Sequence, residues 1–290
     1  MQIAFHVGVH CTDDGRLLRC LQANAEALAA EGIAVPDPDI YRNLLRDAAS
    51  TLQGQIASGD TETLMIEQIM DEQAADRIVL SWDSFLAYPT WAVRGRLYSK
   101  AGERVRGLQN TFPSHDTHIY MAIRNPATFL PDLCSRKRNS PVSEVIGDVD
   151  PLDLHWSEVV NDLRSLAPEA ALTVWCDEDT PLIWPEVLAA VAGIEDGTAL
   201  TGWDDILHHV MEDEGLRRLQ TIMAESPVPD VERRRDMIGN LLSEFVRPEA
   251  VEAEFEMPGW TQDLVDEMTA RYEADIERIR RTPGVTFLTP

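Results

Sequence analysis

The chain has 290 residues, which suits one large domain or one domain with a helical extension. Its apolar fraction of 44% is typical of a globular protein with a substantial core. With 50 acidic and 25 basic residues, it carries a formal net charge of −25. Such a charge argues against nucleic acid or an anionic membrane as a partner of the whole surface.

The four cysteines, Cys11, Cys20, Cys134 and Cys176, are far apart and form no CxxC pair. This spacing favours neither a disulfide framework nor a structural zinc site, so we expect reduced thiols. The chain begins with a strand pattern rather than a signal-peptide pattern, and no stretch is long and apolar enough to cross a bilayer. We therefore expect a cytoplasmic protein without a membrane partner.

The first quarter of the chain alternates strand and helix patterns. Gln2–Val7 is an apolar run typical of a buried parallel strand, and helical spacing of apolar residues follows from Arg16 to Ala29. Gly32–Pro36 predicts a short edge strand that ends at a proline. Two further helices are predicted, over Asp39–Ser50 and Thr61–Ala75.

Three more apolar runs predict the rest of a central sheet. They are Arg77–Ser81, His118–Ile123 and Leu172–Trp175, and a helix is predicted between the first two, over Val93–Gln109. Strands separated by helices favour a mainly parallel, three-layer α/β sheet with right-handed crossovers.

The second half of the chain has a different pattern. From Pro181 to about Arg281 the spacing is nearly all helical, and Gly284–Leu288 predicts a last short strand. We therefore expect a single domain over residues 1–290, with an α/β core in 1–180 and a mainly helical extension in 181–290.

Polar residues follow the predicted strands and mark a candidate site. They are the turn Gly8–Gly15 and the segments Ser81–Asp83, Arg124–Asn125 and Asp177–Asp179. Ligands of open α/β sheets collect beyond the carboxyl ends of the strands. A strand, a glycine-flanked turn and a helix also form an anion site, because backbone N–H groups and the helix N-terminus converge there.

The charged residues are unevenly spread. The stretch from Lys100 to Arg138 is locally basic, whereas the chain from Asp148 onward is strongly acidic. A basic stretch in an acidic protein is a candidate site for an anionic ligand, and a set of solvated faces is the alternative.

The residues of the first turn allow two interpretations each. His10 is a candidate general base or a hydrogen-bonded turn histidine. Asp13 and Asp14 lie at a possible ligand site, yet either can instead cap the helix that starts near Arg16. No metal site is predicted, because His6, His10 and the two aspartates of one short turn need not converge.

The charged residues that follow the later strands also allow two interpretations each. Arg124 either binds a phosphate or pairs with Asp83 or Asp132. The acidic run Asp177–Asp179 either takes part in chemistry or starts the helix that follows.

Four segments together resemble bacterial sulfotransferases. Ile3–Thr12 resembles the family's first strand with its phosphate loop, and Leu21–Asn24 resembles a helix with a Leu-Gln-x-Asn sequence. Gly32–Pro36 resembles a Gly-Ile-x-x-Pro strand, and Ile123–Pro126 resembles a strand that ends in Arg-Asn-Pro. The resemblance covers about residues 2–135 and 170–180. It implies a P-loop-type fold that binds 3′-phosphoadenosine-5′-phosphosulfate, with the first loop on the phosphosulfate and the arginine on the 3′ phosphate.

Several positions depart from the family pattern. Cys11 replaces the family lysine, Asp13 and Asp14 replace a glycine and a threonine, and Asp132 replaces the serine that helps to hold the 3′ phosphate. Ser135 is a substitute only if the helix register differs. The resemblance implies the following cofactor-binding positions: Gly8, Cys11, Thr12, Asp13, Asp14, Gly15, Arg16, Arg124 and Asp132.

Three hypotheses for function follow. The first is sulfuryl transfer from the phosphosulfate nucleotide to an unknown acceptor, with His10 or Asp83 as the base and Arg16 near the bridging oxygen. The second is a non-catalytic relative that serves as a binding or assembly module and has lost the cofactor. The third is a different enzyme that uses the new aspartates with a metal ion. The acceptor and the oligomeric state are left open.

Overall fold

The computed structural model describes residues 1–71, 74–136, 141–225, 230–251, 257 and 259–290. Its centre is a six-stranded, all-parallel sheet with the order β2-β3-β1-β4-β5-β6. The strands are β1 (Gln2–His6), β2 (Ile33–Ala34), β3 (Arg77–Ser81), β4 (Asp116–Ile123), β5 (Ala171–Cys176) and β6 (Val285–Leu288). The predicted parallel α/β fold is confirmed.

Helices connect and cover these strands. They are α1 (Arg16–Ala23), α2 (Ala25–Ala30), α3 (Pro38–Leu52), α4 (Gly59–Met70), α5 (Ala101–Thr111), α6 (Pro126–Arg136), α7 (Val142–Ile146), α8 (Trp156–Leu166), α9 (Thr180–Ala192), α10 (Leu207–Val210), α11 (Asp213–Glu225), α12 (Val231–Phe245), α13 (Pro248–Val251) and α14 (Gln262–Arg280). The helix predicted over Thr61–Ala75 begins earlier, at Gly59, and ends at Met70; residues 72–73 lie outside the described residues.

Alternation of side chains along the strands separates the core into two apolar layers. On β1, Ile3 and Phe5 pack in the layer with α3 to α8 and α14, whereas Ala4 packs in the opposite layer with α1, α2 and α9. Both faces of a parallel sheet are therefore buried, which explains why its strands are continuous apolar runs. A third cluster, which does not touch the sheet, joins α10, α11 and α12.

The first predicted helix is divided at Asn24. Its side-chain oxygen accepts a hydrogen bond from the backbone N–H of Thr201 at 2.9 Å, and its amide donates to the carbonyls of Cys20 and Thr201. A side chain that bonds to distant backbone in this way competes with the regular helix, so α1 ends here and α2 begins. The following strand β2 lies at the edge of the sheet, as its proline-terminated pattern predicts.

The helix predicted over Val93–Gln109 is wrong in its first half, because α5 begins only at Ala101. Val93 and Leu97 form an antiparallel bridge, and Gly95 and Tyr98 have positive φ angles of 75° and 40°. The turn places the ring of Tyr98 in the core beside the first loop. A long-range contact therefore overrides a helical pattern. No helix among the described residues is long and apolar enough to span a membrane.

Candidate functional site

The loop between β1 and α1 has an unusual backbone. Four of its residues have positive φ angles: Gly8 at 51°, Cys11 at 63°, Asp14 at 50° and Gly15 at 73°. A Cβ atom on Gly8 would lie 3.0 Å from the Cα atom of Asp83, so only glycine fits where the loop crosses the end of β3. Left-handed residues turn backbone N–H groups toward one side, which is the geometry of an anion cradle.

Two polar side chains of this loop are used locally. Oδ2 of Asp13 accepts a hydrogen bond from the backbone N–H of Leu17 at 2.9 Å, and the Thr12 hydroxyl donates to the carbonyl of Val9 at 2.7 Å. Asp13 therefore caps α1, the structural alternative that its position suggests. The Arg16 guanidinium donates to the carbonyl of Asp13 and lies 3.6 Å from Asp14.

His10 is fully buried and is held by Tyr98. The Tyr98 hydroxyl accepts the backbone N–H of His10 at 3.1 Å and lies 2.7 Å from its Nδ1 atom. Burial lowers the pKa of His10 to about 4 and raises that of Tyr98, so the ring is neutral and the phenol keeps its proton. We assign that proton to Nδ1 of His10, which leaves Nε2 as a buried N–H group without a partner among the described residues. The Nδ1 lone pair, which His10 would need to act as a base, therefore already accepts the Tyr98 hydroxyl proton.

His6, at the end of β1, is also neutral and nearly enclosed. It is 3% exposed, and its Nδ1 atom lies 2.8 Å from the Ser81 hydroxyl. Burial lowers its pKa, against the opposing effect of Asp13 and Asp83. Its Nε2 atom has no partner within the described part of the chain, although His6 lines the cleft. In the sequence His6 stands out only as a histidine near the first turn, and nothing local predicts its contact with Ser81.

Arg124, which follows β4, is bound from several directions. Its guanidinium donates to the carbonyl of Cys11, pairs with Asp132 at 2.7 Å and donates to the Thr128 hydroxyl at 3.0 Å. Asp177 lies 3.9 Å from its Nε atom. Of the two carboxylates proposed from the sequence, Asp132 and not Asp83 pairs with Arg124.

Arg136 is the functional-site residue that sequence reasoning did not select. It ends α6, pairs with Asp14 and lies 3.6 Å from Asp83. The only signal in the sequence is its place in the basic stretch, because nothing local shows that α6 carries it back to the first loop. Lys137 and Arg138 of that stretch lie outside the described residues.

Most of the predicted site residues line a cleft in two parts, whereas His10 and Arg16 are not among the residues that line it. The first part, about 300 Å³, lies between the loop, Trp82 and Asp83, and the second, about 470 Å³, lies between the loop, Arg124 and Asp132. Cys11, Thr12, Asp14 and Arg136 line both parts. Five aspartates line the cleft against three arginines; they are Asp13, Asp14, Asp83, Asp132 and Asp177, with Arg42, Arg124 and Arg136. A cleft with this balance does not attract an anion.

Burial changes the pKa of the carboxyl groups of Asp177 and Glu178, which follow β5. Burial raises the pKa of Asp177 to about 7, against the lowering effect of Arg124, and it also raises the pKa of Glu178. Glu178 accepts hydrogen bonds from the backbone N–H of Asn125 at 2.7 Å and from the Tyr272 hydroxyl at 3.0 Å. Glu178 therefore ties the ends of β4 and β5 to α14, whereas Asp177 lines the cleft.

Burial also raises the pKa of the Cys11 thiol to about 12, so this residue is not a thiolate nucleophile near neutral pH. Among the described residues, no group of three or more histidine, cysteine, aspartate or glutamate side chains is placed to hold a metal ion. The cleft therefore offers hydroxyl, carboxyl and guanidinium groups but no thiolate from Cys11.

The chain matches no protein-family model, no curated protein and no solved structure. The resemblance to sulfotransferases therefore rests only on the four sequence segments that carry it, Ile3–Thr12, Leu21–Asn24, Gly32–Pro36 and Ile123–Pro126.

Proposed function

We propose that this protein is a non-catalytic, sulfotransferase-like binding module whose cleft no longer accepts the phosphosulfate nucleotide. One observation carries the proposal: the two arginines nearest the expected phosphates are neutralised by aspartates of the same cleft. Arg124 pairs with Asp132, and Arg136 pairs with Asp14 and lies near Asp83. Asp14 and Asp132 stand where the resemblance implies phosphate-binding groups, and Asp83 lies against Gly8 of the same loop.

The electrostatic cost of nucleotide binding supports this proposal. A carboxylate about 4 Å from a phosphate charge costs on the order of 1 kcal/mol in water and about 4 kcal/mol at a protein surface. Asp14, Asp83 and Asp132 line the cleft. At about 4 Å from a bound phosphate the three together would cost about 3 to 12 kcal/mol, a range that includes the whole binding energy of a micromolar ligand, about 8 kcal/mol.

The groups that sulfuryl transfer requires are also missing from the loop. The family lysine is Cys11, which is buried, and the acceptor nitrogen of His10 is used by Tyr98. Transfer needs a cation or donors at the bridging oxygen as charge develops there. Arg16 does not replace the lysine, because it is bound to the carbonyl of Asp13 and near Asp14.

Sulfuryl transfer is the second candidate, and one contact favours it. Arg124 reaches from the end of β4 to the carbonyl of Cys11, so the loop and the 3′-phosphate arginine expected from the family face one cleft. Asp83 is the remaining candidate base, since it lies at the mouth of the first part.

Calorimetry with 3′-phosphoadenosine-5′-phosphate separates the two candidates. We expect no binding to the native chain at millimolar nucleotide, and binding to the variant Asp14→Asn/Asp83→Asn/Asp132→Asn. Asparagine is chosen because it tolerates the left-handed backbone of Asp14, whose φ is 50°, whereas the family threonine does not. Adding Arg124→Ala to the triple variant is the control and should remove the binding again.

Two outcomes contradict the proposal. Micromolar binding by the native chain that Arg124→Ala abolishes would establish the transferase candidate. Absence of binding by a folded triple variant would show that charge is not what excludes the nucleotide, and that the cleft is not a former nucleotide site.

A further inference from the structure

A second cavity lies outside the cleft, between α3 and α5. Its volume is about 770 Å³, larger than either part of the cleft. Leu45 of α3, Leu108 of α5 and Phe85 give it an apolar wall, and Trp82 lines both this cavity and the cleft. We call it the α3–α5 groove.

Basic residues surround this apolar wall. Arg46, Lys100, Arg104 and Arg106 line the groove, and Glu103 is the one acidic residue among the described lining. The chain as a whole has twice as many acidic as basic residues. The α3–α5 groove therefore reverses the charge balance of the molecule.

Two of these cations, Arg104 and Arg106, form no ion pair with the described residues. Lys100 pairs with Glu103 at 2.7 Å, and Arg46 pairs with Asp47 at 3.1 Å. In contrast, no carboxylate of the described chain lies within 4.0 Å of the Arg104 or Arg106 side chain. The three arginines that line the cleft, Arg42, Arg124 and Arg136, each pair with an aspartate. Arg104 and Arg106 therefore differ from them in keeping guanidinium groups that no carboxylate of the described chain neutralises.

Gly107 widens the groove at the same place. It lies inside α5, where glycine is unfavourable relative to alanine, and a Cβ atom added to it would meet no atom within 4 Å. Neither packing nor a left-handed backbone explains this glycine. Gly107 lines the groove, so the missing side chain leaves the groove open at this point of α5.

We propose that the α3–α5 groove binds a small organic anion with an apolar body, such as a medium-chain carboxylate. The apolar wall buries the body of the ligand, and Arg104 and Arg106 receive its head group, since guanidinium groups bind carboxylates through two parallel hydrogen bonds. A free molecule fits better than a lipid headgroup, because the net charge of −25 repels an anionic membrane. The proposal does not depend on the function proposed for the cleft.

The test is calorimetric titration of the full chain with decanoate, decanol and decylammonium. We expect decanoate to bind with one site per chain and the other two to bind at least about tenfold more weakly, because they lack the anionic head. The variant Arg104→Gln/Arg106→Gln should weaken decanoate binding at least about tenfold. Arg217→Gln/Arg233→Gln, which removes the same charge from exposed helices, is the matched control and should bind as the native chain does.

A second variant fills the groove without changing its charge. Gly107→Leu has room for its Cβ atom and favours the helix, so we expect a folded protein that binds decanoate at least about tenfold more weakly. Circular dichroism of each variant checks the fold.

Four results would overturn the proposal. Three of them come from the titrations: decanol binds as tightly as decanoate, either groove variant binds decanoate as the native chain does, or the native chain binds no decanoate at millimolar concentration. The fourth is that the chain cosediments with phosphatidylglycerol vesicles, that the arginine variant abolishes this, and that free decanoate does not compete with it. The last result would assign the groove to a membrane surface instead.

Discussion

The buried carboxyl of Asp177 makes the stability of this protein depend on pH, and the substitution Asp177→Asn measures that dependence. Its side chain is 20% exposed, and burial raises its pKa from 3.8 to about 7. Between these two values the folded state holds a proton that the unfolded state has released. The contribution of this group to stability is therefore largest below pH 3.8 and is lost as the pH rises to about 7.

The expected magnitude follows from the two pKa values. At about 1.4 kcal/mol per pH unit, the change from 3.8 to about 7 corresponds to about 4 kcal/mol. This is an upper limit, because relaxation of the cleft and entry of water reduce the penalty. Asp177→Asn removes the titrating group and keeps its shape. Relative to the native chain, the variant should gain about 2–4 kcal/mol of stability between pH 4.5 and pH 8.

Urea unfolding of both proteins at several pH values measures this difference. The buried histidines act in the opposite direction: the pKa values of His10 and His118 are lowered to about 4, so stability is lost as the pH falls below 6.5. They are present in both proteins and cancel in the difference. Asp153→Asn, whose side chain is 74% exposed, is the control and should give an almost constant difference. A constant difference for Asp177→Asn as well would refute the protonation of Asp177 near neutral pH.

Two further substitutions test the packing around the site and the helical region. Gly8→Ala should destabilise the protein by about 2–3 kcal/mol, which is more than Gly54→Ala. Both glycines have positive φ angles, but only at Gly8 would the added Cβ atom lie 3.0 Å from a neighbouring backbone atom. Equal losses of stability in thermal unfolding would contradict this close approach. Glu186→Gln should cost about 3 kcal/mol because it leaves the buried guanidinium of Arg234, and that of Arg235, without their carboxylate counter-charge. Glu214→Gln on an exposed helix should cost less than about 1 kcal/mol. Similar losses from the two glutamate variants in urea unfolding would show that Arg234 is solvated.

Part of the candidate site was accessible from the sequence. The loop after β1, the Arg124 strand end and the acidic segment after β5 follow apolar runs, and parallel strands bring their carboxyl ends to one edge of the sheet. The alternative roles of Asp13 and Arg124 were also foreseen. Which alternative holds depends on distances between segments that are far apart in the chain, and the sequence contains no such distances.

The sequence by itself determined the elements whose signal is local. Apolar runs placed β1, β3, β4 and β5 within one or two residues of their observed ends, and Gly32 and Gly54 marked the ends of the helices before them. Only the tertiary structure decided that Tyr98 leaves a helical pattern to hold His10, that Asn24 divides the first helix, and that Arg136 returns to the first loop. The physical reason is the same in each case: one buried or charged side chain gains a partner across the fold, and that interaction outweighs the weak preference of its local sequence.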